Sequence, residues 1–222
     1  MKHSHLILFL MSAVSAPAAV FYSPVSVTSA NSTVYTTYVL SNLYQGAGTG
    51  FDAAEPHNVL GAGGAAYNWV TIAPDPVVDY YNVYPAPVLI IDLGQNRALS
   101  EISIWGYSSG NTNGVKDFTL RFATEAEGTA GFAASIGYQP TFEALFDPAL
   151  RDSNPFSQTV NARYVEMTIT DNWAGFQGAT PGGDRVGMGE VAFAAVPEPA
   201  AAGLAGMAGL LLPGRRRARR NC

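Results

Sequence analysis

Trp69 and Trp173 stand in the most suggestive chemical company in this sequence. Each follows an asparagine and sits beside turn-forming residues, in Tyr67-Asn68-Trp69 and Asn172-Trp173. An indole face packs on the C–H face of a sugar ring, while amide, carboxylate or guanidinium groups bind the hydroxyls around it. Phe176 and Arg185 are placed to join such a site. The competing reading is that both tryptophans plug the ends of a β-sandwich, as large side chains usually do. Trp105 lies inside an apolar alternating stretch and reads as packing.

Catalytic patterns are weaker. Gly106-Tyr107-Ser108-Ser109-Gly110 satisfies G-x-S-x-G literally. A nucleophile elbow needs a helix after the turn and a histidine further on. Here Asn111-Thr112-Asn113-Gly114 leads into another strand, and no histidine follows. The segment reads as a hairpin loop. Asp117 with Glu101, and Asp79 with Asp92, have no spacing that fixes the carboxyl separation a glycosidase requires. The single cysteine, Cys222, allows no internal disulfide and no Cys-x-x-Cys or Cys/His zinc site. No enzymatic activity is expected.

Charge narrows the partners. All 17 acidic residues lie between Asp52 and Glu198, where only six basic residues accompany them, so this stretch carries a net −11. Such a body repels nucleic acid, whose binding rests on phosphate neutralisation. Charged residues are only 13% of the chain, while aromatics are 11%. That balance favours a folded, loop-rich body over disorder.

The ends read as addresses. Residues 1–18 have a short basic start, the apolar run Leu6–Met11 and the small-x-small site Ala16-Pro17-Ala18, the pattern of a signal peptide cut after Ala18. At the other end, Val196-Pro197-Glu198-Pro199 precedes an uncharged run from Ala200 to Leu212, then Pro213-Gly214 and a cluster that includes Arg215, Arg216 and Arg217. An apolar run followed by arginines enters a membrane with the arginines on the cytoplasmic side. The run reaches about 20 Å as a helix, against roughly 30 Å of hydrocarbon. This order of parts resembles the PEP-CTERM sorting signal of Gram-negative bacteria over residues 196–222. The resemblance implies signal peptidase and an exosortase as processing partners. It also implies an inner-membrane precursor held transiently through 200–212, and delivery to the cell surface or extracellular matrix. An ordinary tail anchor is the alternative.

Between the ends, residues 19–195 suit one domain. Their periodicity is two. Pro87–Leu93 reads as a buried strand closed by Gly94-Gln95-Asn96, and Leu99–Tyr107 as the next, with Ile102 and Ile104 on one face. Val115–Thr124 puts Phe118, Leu120 and Phe122 inward; Tyr164–Thr170 does the same with Val165, Met167 and Ile169. Val186–Phe193 is the last strand, and Thr141–Phe146 is either a strand or a helical turn. The expectation is an all-β sandwich or jelly roll, flanked by the signal peptide and the C-terminal apolar helix.

The order of these segments resembles the discoidin, or F5/8 type C, domain. Glu101–Tyr107, the turn 111–114 and Val115-Lys116-Asp117-Phe118 match its strand, turn and "V-K-D-F" strand. Ala162-Arg163-Tyr164-Val165 matches its "A-R-Y-V" strand, and Asn172-Trp173 with Gly187–Phe193 its closing loop and strand. The resemblance spans roughly Val25 to Phe193 and implies a galactose-binding-like jelly roll with ligands held in loops at one end. It also implies that His57 contacts a hydroxyl, the alternative being a solvated loop residue. In many bacterial relatives a glutamate at the position of Glu190 helps hold a structural calcium ion with an aspartate from an early loop, a place that Asp52 would take here. The functional expectation is a secreted carbohydrate-binding module for a polysaccharide. A structural surface or matrix protein is the alternative, and a glycoside hydrolase a more distant one.

Overall fold

Two long strands organise the body. In the computed structural model, which describes residues 20–44, 68–107, 112–146, 151–176 and 182–195, these are Val88–Trp105 and Arg151–Ile169. Around them run shorter strands. In chain order the described strands are β1 (Val20–Tyr22), β2 (Ser26–Ser29), β3 (Trp69–Val70), β4 (Val88–Trp105), β5 (Asp117–Ala123), β6 (Thr141–Glu143), β7 (Arg151–Ile169), β8 (Gly187–Met188) and β9 (Glu190–Ala195). Short 3₁₀ turns at Leu40–Tyr44, Tyr80–Asn82 and Gly128–Ala130 are the helical elements among the described residues. The architecture is all-β, as the alternation predicts.

One seven-stranded antiparallel sheet has the order β1-β9-β4-β7-β5-β6, with β2 also on β4, and β3 and β8 form a separate pair. Strand β4 is paired with β7 along both of its halves: Val88–Asp92 with Tyr164–Thr168, and Arg97–Trp105 with Ala162 back to Arg151. On its other edge β2 covers the first half and β9 the second. The inward side chains of both halves, including Leu89, Ile91, Ile102 and Ile104, join Phe118, Leu120, Met167 and Phe193 in one buried cluster. A single sheet therefore folds across its own core as a sandwich.

The fold needs β4 to bend, and its sequence supplies the bend. The Gly94-Gln95-Asn96 segment does not end a strand, as its composition suggests. It is a bulge inside β4, where the ladder skips from Asp92 to Arg97. Gly94 takes φ +79°, which a side chain disfavours, and a Cβ there would meet Val25 Cγ1 at 3.1 Å. Asp92 fixes the bulge. Its Oδ1 accepts from Gly94 N at 2.7 Å and from Arg163 Nε at 2.8 Å, and its Oδ2 accepts from Arg163 Nη2 at 3.0 Å. Arg163 also donates to Glu125 at 2.8 Å. A second bulge follows. Between Leu99 and Glu101, β4 advances two residues while β9 advances one. This shifts the inward set from odd to even positions, from Leu99 to Ile102 and Ile104.

The outer face of the β9–β4 half is covered as well. Trp105 and Ala192 are buried with Phe21 against them. Arg151 lies over the Phe21 ring at 4.5 Å and Arg97 over Tyr22 at 4.3 Å. Trp105 is thus a packing residue. The last strand is split, because Gly189 interrupts it between β8 and β9; a Cβ on Gly189 would stand 2.8 Å from Gly106 O.

The Arg163 guanidinium holds the Asp92 carboxyl below its ordinary value of 3.8. A depressed carboxyl contributes stability that is complete above the unfolded value and is lost as pH falls through the folded one. Asp92→Asn should therefore lower unfolding free energy by about 1–3 kcal/mol at pH 7, with the gap to wild type closing below pH 3.8. Urea unfolding at a series of pH values measures this; a gap that stays constant with pH would contradict the assignment.

Candidate functional site

One end of the sandwich gathers the loops that follow β4, β6 and β7 and precede β5 and β8. Buried amides tie them together. Asn172 Nδ2 donates to Gly183 O and to Arg185 O, both at 2.9 Å, and its Oδ1 accepts from Ala174 N at 3.0 Å. Asn113 Oδ1 accepts from Gly183 N at 2.6 Å and Arg185 N at 3.2 Å. Both side chains are buried, so each unmade bond would cost the full desolvation of an amide. Asn172 is a structural tie rather than a surface group.

On this base stands an aromatic platform. Trp173 is half-buried, and its indole N–H donates to Val115 O at 3.0 Å, which fixes the ring. Phe176 packs edge-on at 5.1 Å between centroids and Phe146 at 5.5 Å, with Phe146 and Phe176 4.7 Å apart. Phe176 is 45% exposed and Leu145 51%, so apolar surface faces solvent here. An open groove of about 190 Å³ runs between Lys116, Trp173, Ala174, Gly175 and Phe176. Asp152, buried within β7, accepts from Leu145 N at 3.1 Å and so holds the turn that carries Phe146; burial raises its carboxyl pKa.

Polar groups line the platform. Lys116 Nζ lies 5.9 Å from the Trp173 ring centroid and donates to Asp171 Oδ2 at 2.6 Å, with Asp117 Oδ2 at 3.4 Å. The hydrogen bond to Asp171 raises the lysine pKa. The arrangement offers an aromatic surface with an ammonium donor and carboxylate acceptors beside it. Those are the elements needed to bind a ring with an apolar face and hydroxyls on its rim.

The predicted residues divide. Trp173 and Phe176 meet in the groove. Arg185 lies elsewhere on the same end: its guanidinium covers the Tyr35 ring at 4.1 Å, with Asp184 Oδ2 3.5 Å from Nε. Trp69 does not share the groove. It is 0% exposed and belongs to the main core, opposite Met188 in the β3–β8 pair, and so presents no face to a ligand. Asn68 is also buried, and its carbonyl accepts from Asn42 Nδ2 at 2.8 Å. Trp69 is drawn inward with the short β3–β8 pair, which packs on the main core, whereas Trp173 follows the end of β7 and stays partly exposed. Glu190 is buried at the start of β9, opposite Trp105. Calcium takes six to eight oxygens. Among the described residues no group of three His, Cys, Asp or Glu side chains gathers. Asp52, His57, Tyr67, the signal peptide and the sorting signal with Pro197, Glu198, Pro199 and Arg215–Arg217 lie outside the described residues.

Two contributors to the groove escape sequence reading: Phe146 and Lys116. Phe146 sits in the segment whose type was open, which proves to be the short β6 and a turn. Lys116 reads as an ordinary strand residue, because nothing in its neighbours announces that β7 ends beside it.

No protein-family model matches the chain, and no curated protein matches it. Solved structures do. The lectin-binding domain of lectinolysin, as a His 62 mutant complexed with Lewis b, superposes with a TM-score of 0.50 at 15% identity, covering 78% of this chain and 92% of that one. The fold is the discoidin-like jelly roll. The family 32 carbohydrate-binding module of C. perfringens NanJ, in complex with galactose, gives a TM-score of 0.47 at 13% identity over 79% of this chain and 99% of that one. A truncated AlyQ with such a module and an alginate lyase domain gives 0.49 at 15% identity over 82% of this chain, which spans only 35% of that protein.

Asn172→Ala should cost about 2–3 kcal/mol, because it removes one acceptor and two donor bonds from a buried loop tie. It should also loosen Trp173, seen as a red-shifted, more quenchable tryptophan fluorescence. Unchanged stability and fluorescence would show that the amide does not hold the site.

Proposed function

We propose that the chain is a non-catalytic carbohydrate-binding domain whose ligand packs on Trp173 and Phe176 and takes polar contacts from Lys116. The observation that carries this reading is the fixed, partly exposed indole in an open groove, flanked by a cation and carboxylates. The fold shared with a lectin domain solved with Lewis b is consistent with it. Single sites of this kind bind weakly, so display of many copies on a surface would supply avidity.

The sorting features belong to the same proposal: export through the N-terminal signal, transient anchoring through 200–212, exosortase processing and residence at the cell surface or in the matrix. The register supports a body suited to display. Val20 pairs with Ala195, and Ala195 with Leu99, so both ends of the compact unit Val20–Val196 lie beside the β4 bend. The platform follows Ile169 at the opposite end. A structural calcium ion held through Glu190 and Asp52 is a further part of the proposal. Burial of Trp69 favours one competing reading, a structural matrix protein without a small ligand.

A glycan array probed with the purified full-length chain tests the binding reading. Binding should fall at least tenfold in Trp173→Ala or Phe176→Ala and stay unchanged in Val25→Ala, an exposed position beside the Gly94 bulge at the other end of the sandwich. A folded chain that binds no glycan would transfer the weight to the matrix protein. Chelator should lower the thermal midpoint of the wild type and leave that of Glu190→Gln unmoved; equal midpoints with and without chelator in the wild type would remove calcium. Replacing Pro197, Glu198 and Pro199 with alanine, in a host that carries an exosortase, should leave the precursor in the inner-membrane fraction. Normal delivery of that variant would contradict exosortase sorting.

A further inference from the structure

A second aromatic station shares this end of the sandwich. Tyr35 is 36% exposed, and the Arg185 guanidinium carbon stands over its ring, 4.1 Å from the centroid. A guanidinium stacked on a ring keeps its edge donors turned outward and fixed in a plane. Asp184 stands 3.5 Å from Arg185 Nε, so an acceptor sits next to the donors. Beside Tyr35, Tyr38 extends the aromatic surface, with ring centroids 5.8 Å apart.

The backbone joins this station to the platform through a continuous strip. Tyr35 N donates to Val70 O, and Val34 bridges Thr71. Val70 pairs with Gly187, Gly187 bridges Gly114, and Val115 bridges Asn172, the neighbour of Trp173. Tyr35 and Trp173 are thus four strand spacings apart, about 19 Å measured across the strip. Asn172 ties the two ends of the strip directly, since its side chain holds the Arg185 carbonyl while its backbone leads into Trp173. A span of that length exceeds one sugar ring and matches a chain of several.

Charge then selects the kind of chain. Each cation at the two stations already has a carboxylate: Lys116 has Asp171 and Asp117, and Arg185 has Asp184. Neither station offers a net positive charge, and the surrounding stretch from Asp52 to Glu198 carries −11. A polyuronate would meet repulsion from the whole body. Paired donors and acceptors fit neighbouring hydroxyls instead. We infer that Tyr35, Arg185 and Asp184 form a second subsite, and that the domain binds an extended, uncharged glycan chain that spans this loop end from Tyr35 to Trp173, above the buried strip that joins them. This rests on the carbohydrate-binding reading of the Trp173 platform and adds to it the second site, the length and the charge of the ligand.

The test is a titration of the full-length chain with oligomers of one to six units from neutral galactan, mannan and β-glucan, with polyuronate oligomers of the same lengths beside them. For the neutral glycan that binds, affinity should rise at least tenfold between dimer and hexamer. Tyr35→Ala should abolish that rise while leaving the dimer affinity unchanged. Arg185→Lys, which keeps the charge and loses the planar guanidinium over the ring, should do the same and guards against a folding effect at position 35. Trp173→Ala should weaken both lengths. Affinity independent of length, or a rise that survives both Tyr35→Ala and Arg185→Lys, would overturn the second subsite and leave the platform reading intact. Tighter binding of polyuronate than of neutral oligomers would overturn the uncharged class. Binding of no oligomer would overturn the platform reading and this inference together.

Discussion

The Asp92–Arg163 pair sits where one sheet must become two layers. Strands β4 and β7 are too long to lie flat on a small core, and they escape this by bending together. Asp92 caps the bulge through Gly94 N and clamps the facing strand through Arg163. The pair is partly screened, with about a fifth of each side chain exposed, so its hydrogen-bond geometry matters more than its raw Coulomb energy. Its placement gives it weight: it fixes the point at which the inward residues of Val88–Leu93 and of Leu99–Trp105 turn to face a common core.

That bend also sets the polarity of the molecule. Everything near it, including Val20 and Ala195, is ladder and edge. The opposite end consists of loops whose backbones pair only through isolated bridges and the short β3–β8 ladder. Further hydrogen bonds go to buried amides, Asn113 and Asn172 above all. Loops held this way can carry partly exposed aromatics without collapsing onto them, because the ties beneath are already satisfied. The platform is a consequence of that division: strands bury the large apolar side chains, and tied loops leave three rings at the surface.

The two stations at this end use different means to hold an aromatic surface in place. At Trp173 a backbone carbonyl takes the indole N–H and two phenylalanines brace the ring edge-on. At Tyr35 a guanidinium lies across the face, itself attached through its backbone to Asn172 and Asn113. Both are pre-organised, which limits the ordering cost of binding. Both also sit within an acidic field that discourages polyanions and leaves uncharged, hydroxyl-rich ligands as the better match.

Alternation by itself determined the sheet. Phe118, Leu120 and Phe122 face inward because a strand repeats every two residues, and Val165, Met167 and Ile169 oppose them for the same reason. The order of segments carried the discoidin resemblance, and the single cysteine excluded an internal disulfide. Local pattern failed at the bends. Gly94-Gln95-Asn96 has the composition of a turn, and only the partner strand decides whether it ends a strand or bulges one. It failed again at the tryptophans. Trp69 and Trp173 have nearly the same neighbours in sequence, yet one lies in a core strand and the other just beyond a strand end. Burial depends on what packs from elsewhere in the chain, so no window around either residue contains the answer. The same holds for Phe146 and Lys116, which meet at Trp173, and for Tyr35 and Arg185, which meet each other: the members of each pair are far apart in sequence and come together only when the loops are tied at one end of the folded sheet.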